Sequence, residues 1–262
     1  MLPEECDSWE ENPPTILEFT RRDIRWCQGN MQYIWLVGLK GLLPMSRFQL
    51  AWAILMFLGV PAWTLMIALL PVKFFDGEPL AVFPGGLAIG LYVTFIAMYL
   101  SPKLAGLADI LLTPGGTARY GGTPRFLVSA AIELVFSFLQ GAASTFRITL
   151  FMIGLAFGKS VSWSGQSRDT HGIAWSTALR GLWPQLVFGA AVIFPLLVLE
   201  PLVVAWGGIL LIGFLVAIPF AVVTADPALG RAFVRAGLCG IPEDFATPAE
   251  VTAVLAAGRS AA

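Results

Sequence analysis

Residues 50–70 read LAWAILMFLGVPAWTLMIALL, which is 21 consecutive residues without a charge. About 20 predominantly apolar residues are enough for a helix to cross the hydrocarbon core of a bilayer. Further apolar segments occupy residues 80–100, 126–158, 182–199 and 201–224. The sequence therefore predicts an all-α, polytopic helical membrane protein.

The composition supports this class. Hydrophobic residues make up 57% of the chain and charged residues 13%, whereas about a quarter of the residues are charged in an ordinary soluble domain. The net charge of -1 gives no sign of a nucleic-acid partner. The three cysteines have no CxxC spacing, and we expect free thiols rather than a disulfide or a metal site.

The segment 126–158 is too long for one straight crossing and short for two. If it forms a hairpin, making six crossings, all Lys and Arg residues except Lys73 and Arg147 lie on the cytoplasmic side. With a single crossing the later loops change sides, and the usual cytoplasmic excess of basic residues disappears. We therefore predict about six crossings, a helix break near residues 141–144, and both termini in the cytoplasm.

One polar pattern favours an unbroken helix instead. Glu133, Gln140 and Arg147 are spaced by seven residues and would form a single stripe along an uninterrupted helix. Such a stripe is typical of a polar path across the bilayer, which makes the three residues channel candidates. Polar contacts that hold neighbouring helices together are the alternative.

A basic and aromatic stretch, RRDIRWCQGN at residues 21–30, precedes the first apolar segment. Arg22 and Arg25 are three residues apart, so a helix would carry them on one face with Trp26 beside them. Two guanidinium groups next to an indole ring can bind a phosphate and a sugar. They can equally serve as interfacial cations and a tryptophan of the aromatic belt.

The next segment, residues 31–47, has an apolar face interrupted by Lys40. This pattern predicts an amphipathic helix that lies in the interface in contact with membrane lipids. Pro44 is expected to end that helix and turn the chain into the membrane. We assign residues 48–225 to a transmembrane domain and residues 226–262 to a cytoplasmic tail.

Several stretches together resemble one enzyme family. They are DSWEENPPTILEFTRRDIRWCQGNMQ, SPKLAG, ARYGG, WSGQSRDTHGIAWSTALR and IPED. Over nearly the whole chain they resemble the glucans biosynthesis glucosyltransferase H family, inner-membrane enzymes of osmoregulated periplasmic glucan synthesis. The wider relatives, such as cellulose and hyaluronan synthases of glycosyltransferase family 2, carry QxxRW where this branch carries RxxRW. Residues 1–30 would then be the end of a glycosyltransferase catalytic region.

The resemblance implies roles for the RxxRW residues. Trp26 would line the acceptor-sugar site at the entrance to a membrane channel, and Arg22 and Arg25 would lie near the diphosphate of UDP-glucose. Guanidinium groups, helped by a divalent cation (Mg or Mn) in the complete enzyme, stabilise the charge that grows on a leaving diphosphate.

A glycine-rich loop gives two weaker candidates. By its order along the chain, the loop at residues 115–122 matches a gating loop over the donor site of cellulose synthases, which makes Thr117 and Arg119 donor-site candidates. A flexible connector is the alternative interpretation. The single histidine, His171, is interpreted as a solvated loop residue, since nothing specifies a nucleophile within its reach.

The catalytic aspartates of the family have no counterpart in this sequence. In family members the aspartates that bind UDP and metal, and the general base, lie in a cytoplasmic domain before this region. Asp7 and Asp23 fit neither motif. We therefore expect no catalytic base, no metal site and no bound cofactor in this chain, which would be inactive without the missing domain, supplied in cis or in trans.

The resemblance thus implies the membrane part of a UDP-glucose-dependent hexosyltransferase in the bacterial inner membrane, with the nascent glucan threaded outward between its helices. Whether the chain acts as an enzyme stays open at this point. The alternative is a non-catalytic membrane scaffold or subunit of a glucan-assembly complex. A small-molecule transporter is the third possibility, although we see no internal repeat of the kind that many transporters have.

Overall fold

The computed structural model of the chain describes residues 13–74, 86–162, 171–247 and 252–253. The α-helices within these ranges are α1 (Ile16–Met31), α2 (Tyr33–Leu36), α3 (Pro44–Phe74), α4 (Gly86–Leu112), α5 (Thr123–Ala156), α6 (Trp175–Leu199), α7 (Pro201–Leu215), α8 (Ala217–Thr224), α9 (Pro227–Ala236) and α10 (Pro242–Phe245). No strand occurs in the described ranges. The predicted class, an all-α polytopic membrane protein, is confirmed.

Four helical stretches in the described part of the chain are long and apolar enough to cross a membrane. They are Pro44–Val72, Ile89–Leu112, Thr123–Ala156 and Trp175–Leu199. The helices α7 and α8 pass the same test as a pair, with a bend of 60° between them, and add a fifth candidate if they form one broken span. Wherever the structure describes them, the predicted apolar segments therefore lie in helix, apart from residues 157–158 and the bend at Val216.

The predicted hairpin in residues 126–158 is wrong. The helix α5 runs without a break from Thr123 to Ala156, through residues 141–144 where the break was expected. That region, QGAAST, contains no proline, and one glycine costs a helix only about 1 kcal/mol. Its 34 residues extend over about 51 Å, more than the roughly 30 Å of the hydrocarbon core, so a single helix can project beyond the core or tilt.

The helix predicted over residues 31–47 is also much shorter than expected. Between α1, which ends at Met31, and α3, only Tyr33–Leu36 is α-helical, and Pro44 begins α3 rather than ending the preceding helix. Proline is well suited to a first helical position, because its missing N–H would have no partner there. Gly41, with φ at +89°, lies in the left-handed region that interrupts a helix. The interfacial position of this segment stays a prediction.

The chain divides into two compact units, which we describe separately. Unit 1 comprises Met1–Gly77 and Phe138–Pro227, and unit 2 comprises Glu78–Ser137 and Ala228–Ala262. The core of unit 1 includes one face of α1. The buried residues of that face are Ile16, Leu17, Thr20, Ile24, Cys27 and Met31.

The two ends of α1 pack on different helices of unit 1. Leu17 belongs to a cluster with residues of α5, α6 and α8, whereas Cys27 belongs to a cluster with residues of α3 and α5. Two hydroxyl pairs join the helices, with Thr20 Oγ1 3.4 Å from Ser144 Oγ and Thr64 Oγ1 2.8 Å from Thr149 Oγ1. The start of α3, the end of α5 and the start of α6 therefore meet around α1.

This arrangement corrects the predicted place of Arg147. The hairpin would have put Arg147 on the side opposite to α1, but its guanidinium lies within electrostatic reach of Arg21 in α1. Arg147 comes nine residues before the end of α5, a distance of about 14 Å along the helix axis. Because α5 is unbroken and its end lies beside α1, Arg147 is brought to the α1 side of unit 1.

Candidate functional site

The helix α1 carries the RxxRW residues on a firmly held element. Thr15 caps the N-terminus of this helix, and its hydroxyl accepts a hydrogen bond from the N–H of Glu18 at 3.3 Å. The Thr20 hydroxyl donates back to the carbonyl of Ile16 at 2.7 Å. With one face of the helix buried, Arg21 and Trp26 are left exposed on the other.

The structure brings Arg22 and Trp26 into direct contact. The Arg22 guanidinium lies 4.6 Å from the centroid of the Trp26 ring and 4.4 Å from that of Phe19. Its Nε is also 3.7 Å from the Asp23 carboxylate. Arg22 is only 12% exposed, whereas Trp26 is 52% exposed. The cation–π contact thus orients the indole ring while half of the ring surface stays accessible.

Two ionisable groups of α1 have shifted pKa values. Burial raises the pKa of the Asp23 carboxyl, and the positive charge of Arg22 opposes that shift. Burial also raises the pKa of the Cys27 thiol to about 11. Cys27 is therefore protonated at neutral pH and is not a candidate nucleophile.

A residue that the sequence analysis did not single out ties α1 to the segment after α5. The Gln28 side chain donates from Nε2 to the carbonyl of Val161 at 3.1 Å, and its Oε1 accepts from the N–H of Val161 at 2.7 Å. Asn30 donates to the carbonyl of Trp26 at 2.8 Å. Only the tract CQGN next to RxxRW hinted at Gln28, since a sequence separation of 133 hides the contact from any local pattern.

Thr117 and Arg119 lie in unit 2, on a 3₁₀-helix at Gly116–Tyr120. The flanking residues Gly115 and Gly121 both adopt left-handed backbone conformations, at φ of +75° and +78°. The Thr117 hydroxyl pairs with that of Thr123 at 2.9 Å, and Arg119 is exposed. This loop therefore has a regular structure, while its contact with a donor stays a prediction.

The residues of the predicted polar stripe have separate partners. In unit 2, Glu133 accepts hydrogen bonds from Lys103 and, at 3.2 Å, from Ser137, while Lys103 also donates to Ser137 at 2.7 Å. In unit 1, Arg147 donates to the backbone carbonyl of Gly181 at 2.6 Å, and Gln140 is half-buried. These contacts agree with the interpretation of polar glue between helices. A polar path across the bilayer stays a prediction.

The described residues offer no site for the divalent cation that the resemblance implies for the complete enzyme. In the described ranges, no group of three or more His, Cys, Asp and Glu residues could hold a metal ion. Asp23 is turned toward Arg22, and Asp7 and Asp169 lie outside the described residues. We therefore assign no metal-dependent step to the described residues.

Comparison with known proteins gives one consistent answer. The chain is 29% identical over 267 residues to glucans biosynthesis glucosyltransferase H of Xanthomonas campestris pv. campestris (strain B100), covering 95% of this chain and 41% of that protein. It is 30% identical to the Pseudomonas entomophila (strain L48) protein of the same name and 29% identical to that of Pseudomonas putida (strain ATCC 700007), with 94% of this chain and 30% of each relative covered.

The chain thus spans between about a third and two fifths of these relatives, and it matches their C-terminal portion. No family model matches the sequence, and no solved structure matches it.

Proposed function

We propose that this chain is the membrane part of a glucosyltransferase that builds osmoregulated periplasmic glucans from UDP-glucose. The observation that carries the proposal is the similarity to curated glucosyltransferases over 94–95% of the chain. It is supported by the α1 helix, which presents guanidinium groups and an accessible indole together.

In this proposal Trp26 is the acceptor platform. An aromatic ring offers a flat apolar surface to the C–H groups of a pyranose. Trp26 is suited to this because half of its surface is exposed while Arg22 holds the ring from one side. Binding the growing glucan end here would keep its terminal hydroxyl close to the donor and reduce the entropic cost of reaction.

Arg25 would act on the donor, together with Arg22. A guanidinium stabilises the charge that accumulates on a leaving diphosphate, through hydrogen bonds in a site with low dielectric. Arg22 is already engaged by Asp23 and two rings, so we assign it chiefly to positioning Trp26.

The chemical step needs a catalytic domain, in cis or in trans. The general base and the divalent cation, Mg or Mn, would belong to that domain, because the described residues offer no such cluster. We propose that the 262 residues alone transfer no glucose. Incorporation of labelled UDP-glucose into glucan by the purified chain would overturn this part of the proposal.

We further propose the bacterial inner membrane as the location, with α1 on the cytoplasmic side. In unit 1 the end of α5 lies beside α1, which brings Lys159 to the same side as Arg21, Arg22 and Arg25. Such clustering is typical of a cytoplasmic face. The tail is proposed to lie on the same face, which requires an even number of crossings in all. Reporter fusions at both termini would test the orientation.

The site assignment is tested by grafting this chain in place of the matched C-terminal portion of the Pseudomonas putida protein, in a strain that lacks its own copy. The graft is expected to restore periplasmic glucan. Trp26→Ala and Arg25→Ala should each reduce the glucan at least about tenfold at normal membrane levels, since each removes a contact to a reacting partner.

The matched controls are Trp35→Ala and Arg231→Ala, which remove an exposed tryptophan and an exposed arginine outside α1. Both should leave the glucan output unchanged. Normal output from Trp26→Ala would exclude Trp26 from the acceptor site. Immunoblotting of native membranes with an antibody against residues 226–262 decides between cis and trans: a band well above 28.2 kDa indicates a catalytic domain on the same polypeptide.

A further inference from the structure

Two arginines in unit 1 meet at the junction of α1, α5 and α6. Arg147 of α5 donates to the carbonyl of Gly181 in α6, and Gly181 in turn lies under Leu17 of α1, whose Cδ2 would be 2.9 Å from a Cβ at that glycine. Arg21 follows Leu17 by one helical turn on α1, and its charge acts on Arg147. The junction therefore contains two positive charges.

Neither arginine forms an ion pair with a described residue, and Glu18 is the acidic residue that precedes Arg21 by three positions on α1. The ion pairs among the described residues are Arg22 with Asp23 and Lys103 with Glu133. A guanidinium has five N–H donors, and the bond to Gly181 uses one of the donors of Arg147. Two like charges in one junction repel each other, and an anion bound between them would offset that repulsion.

The depth of the junction suits a charged ligand from the aqueous side. Arg147 lies about 14 Å from the end of α5, and Gly181 lies about 9 Å from the start of α6. Both helix ends are next to α1, and Arg21 is exposed. A site two to three turns from the helix ends is within reach of lipid headgroups and of solutes from water.

We propose that Arg21 and Arg147 bind one phosphate-class anion, either the phosphate of an anionic lipid headgroup or a free phosphate or diphosphate. Forked guanidinium groups match the oxygen pairs of phosphate, and an anion between them offsets their repulsion. The site is distinct from the RxxRW residues, and its occupation is measured without any glucosyl transfer. The anion-binding site can therefore be confirmed or excluded independently of the proposed function.

The experiment uses the 262-residue chain in nanodiscs of phosphatidylcholine and measures its thermal midpoint Tm. One arm adds inorganic pyrophosphate, with sodium chloride at matched ionic strength as the blank, because salt alone screens surface charge. The other arm replaces part of the phosphatidylcholine with phosphatidylglycerol. We expect a rise in Tm of about 5 °C in one arm at a large excess of anion over Kd, since an anion that binds only the folded state stabilises it.

The variants decide whether these two residues are the site. Arg147→Gln and Arg21→Gln should each remove most of the rise in Tm, and Arg147→Lys should keep part of it. Arg21 is exposed, so Arg21→Gln tests the proposal even if Arg147→Gln folds poorly. The control Arg235→Gln removes an exposed arginine of α9 and should keep the full rise.

The two arms identify the source of the anion. A rise with pyrophosphate alone indicates a solute site, and a rise with phosphatidylglycerol alone indicates a lipid site. No rise in either arm, or an equal rise in Arg21→Gln and the wild-type chain, would overturn the proposal.

Discussion

Two contacts of α5 within unit 1, five residues apart, are built in opposite ways. At Ala142, α7 comes so close that a Cβ on Gly213 would lie 2.6 Å from the Ala142 Cβ and 3.1 Å from the carbonyl oxygen of Leu139. At Arg147, by contrast, the nearest partners are a backbone carbonyl and a second arginine. The first contact is filled by small groups, and the second contains two guanidinium groups. We infer that the first contributes mainly stability and the second mainly binding.

Close packing at the first contact predicts the largest effect on stability. Gly213→Ala would force a methyl group against the backbone of α5, which cannot move away as a side chain can. We expect the free energy of unfolding to fall by about 2–3 kcal/mol, the upper part of the range for overpacking. Equilibrium unfolding in mixed micelles, with helix content as the signal, measures this change.

Gly208 provides the matched control on the same helix. Nothing lies within 4 Å of a Cβ at that position. Gly208→Ala should therefore be neutral or stabilising by up to about 1 kcal/mol, because alanine is the better helix former. If the two alanine variants had equal stability, α7 would not pack on α5 as described.

Gly181→Ala should have an intermediate effect. The new methyl group would be 2.9 Å from the Leu17 Cδ2 and 3.4 Å from a terminal nitrogen of Arg147. Both atoms are ends of flexible side chains that can shift, so we expect a loss of about 1 kcal/mol, the lower part of the overpacking range. The same unfolding measurement tests this. A loss as large as that of Gly213→Ala would contradict the comparison, because it would mean that the Leu17 and Arg147 side chains cannot shift away from the new methyl group.

Removing the charges at the second contact should change stability still less. In phosphatidylcholine without added anion, Arg147→Gln loses a charged hydrogen bond to Gly181 but also the repulsion from Arg21, and we expect a net loss of less than about 1 kcal/mol. Arg21→Gln relieves the same repulsion and breaks no hydrogen bond or ion pair with a described residue. It should be neutral or slightly stabilising. A marked loss of Tm in Arg21→Gln would mean that the residue has a structural role.

The sequence predicted the elements of both contacts better than it predicted the contacts themselves. Hydropathy located the apolar helices, and the sequence predicted one helix that carries Arg22 and Arg25 with Trp26 beside them; in the structure Arg22 and Trp26 of α1 are in contact. Charge counting failed for α5 because it compares loops and cannot detect whether a long apolar segment contains a helix break. No periodicity could join Thr20 to Ser144 or Gln28 to Val161, since tertiary packing of α1 brings them together over more than a hundred residues.

Arg21 and Arg147 are held near each other by the packing of α1 on α5. Labelling of Cys27 tests this packing without a substitution in either helix. Cys27 is fully buried beside Ile148 of α5, and burial raises the pKa of its thiol to about 11. Relative to an ordinary thiol with a pKa near 9, about a hundredfold less thiolate is present at pH 8. Iodoacetamide at pH 8 should therefore label Cys27 at least about a hundredfold more slowly in the folded chain than after unfolding in SDS, as measured by mass spectrometry of the α1 peptide.

The exposed Cys239 of unit 2 is the internal reference for reagent access.

The raised pKa of Cys27 also has a consequence for stability. The contribution of the protonated thiol to the free energy of unfolding is present below about pH 9 and is lost as the pH rises through about 11, because the thiol of the unfolded chain ionises first. The wild-type Tm should thus decrease more than that of Cys27→Ala across this interval. Rapid labelling of Cys27 at pH 8 would show that α1 leaves α5 readily. Arg21 and Arg147 would then not be held together, and the description of the Arg147 contact as a stable junction would be wrong.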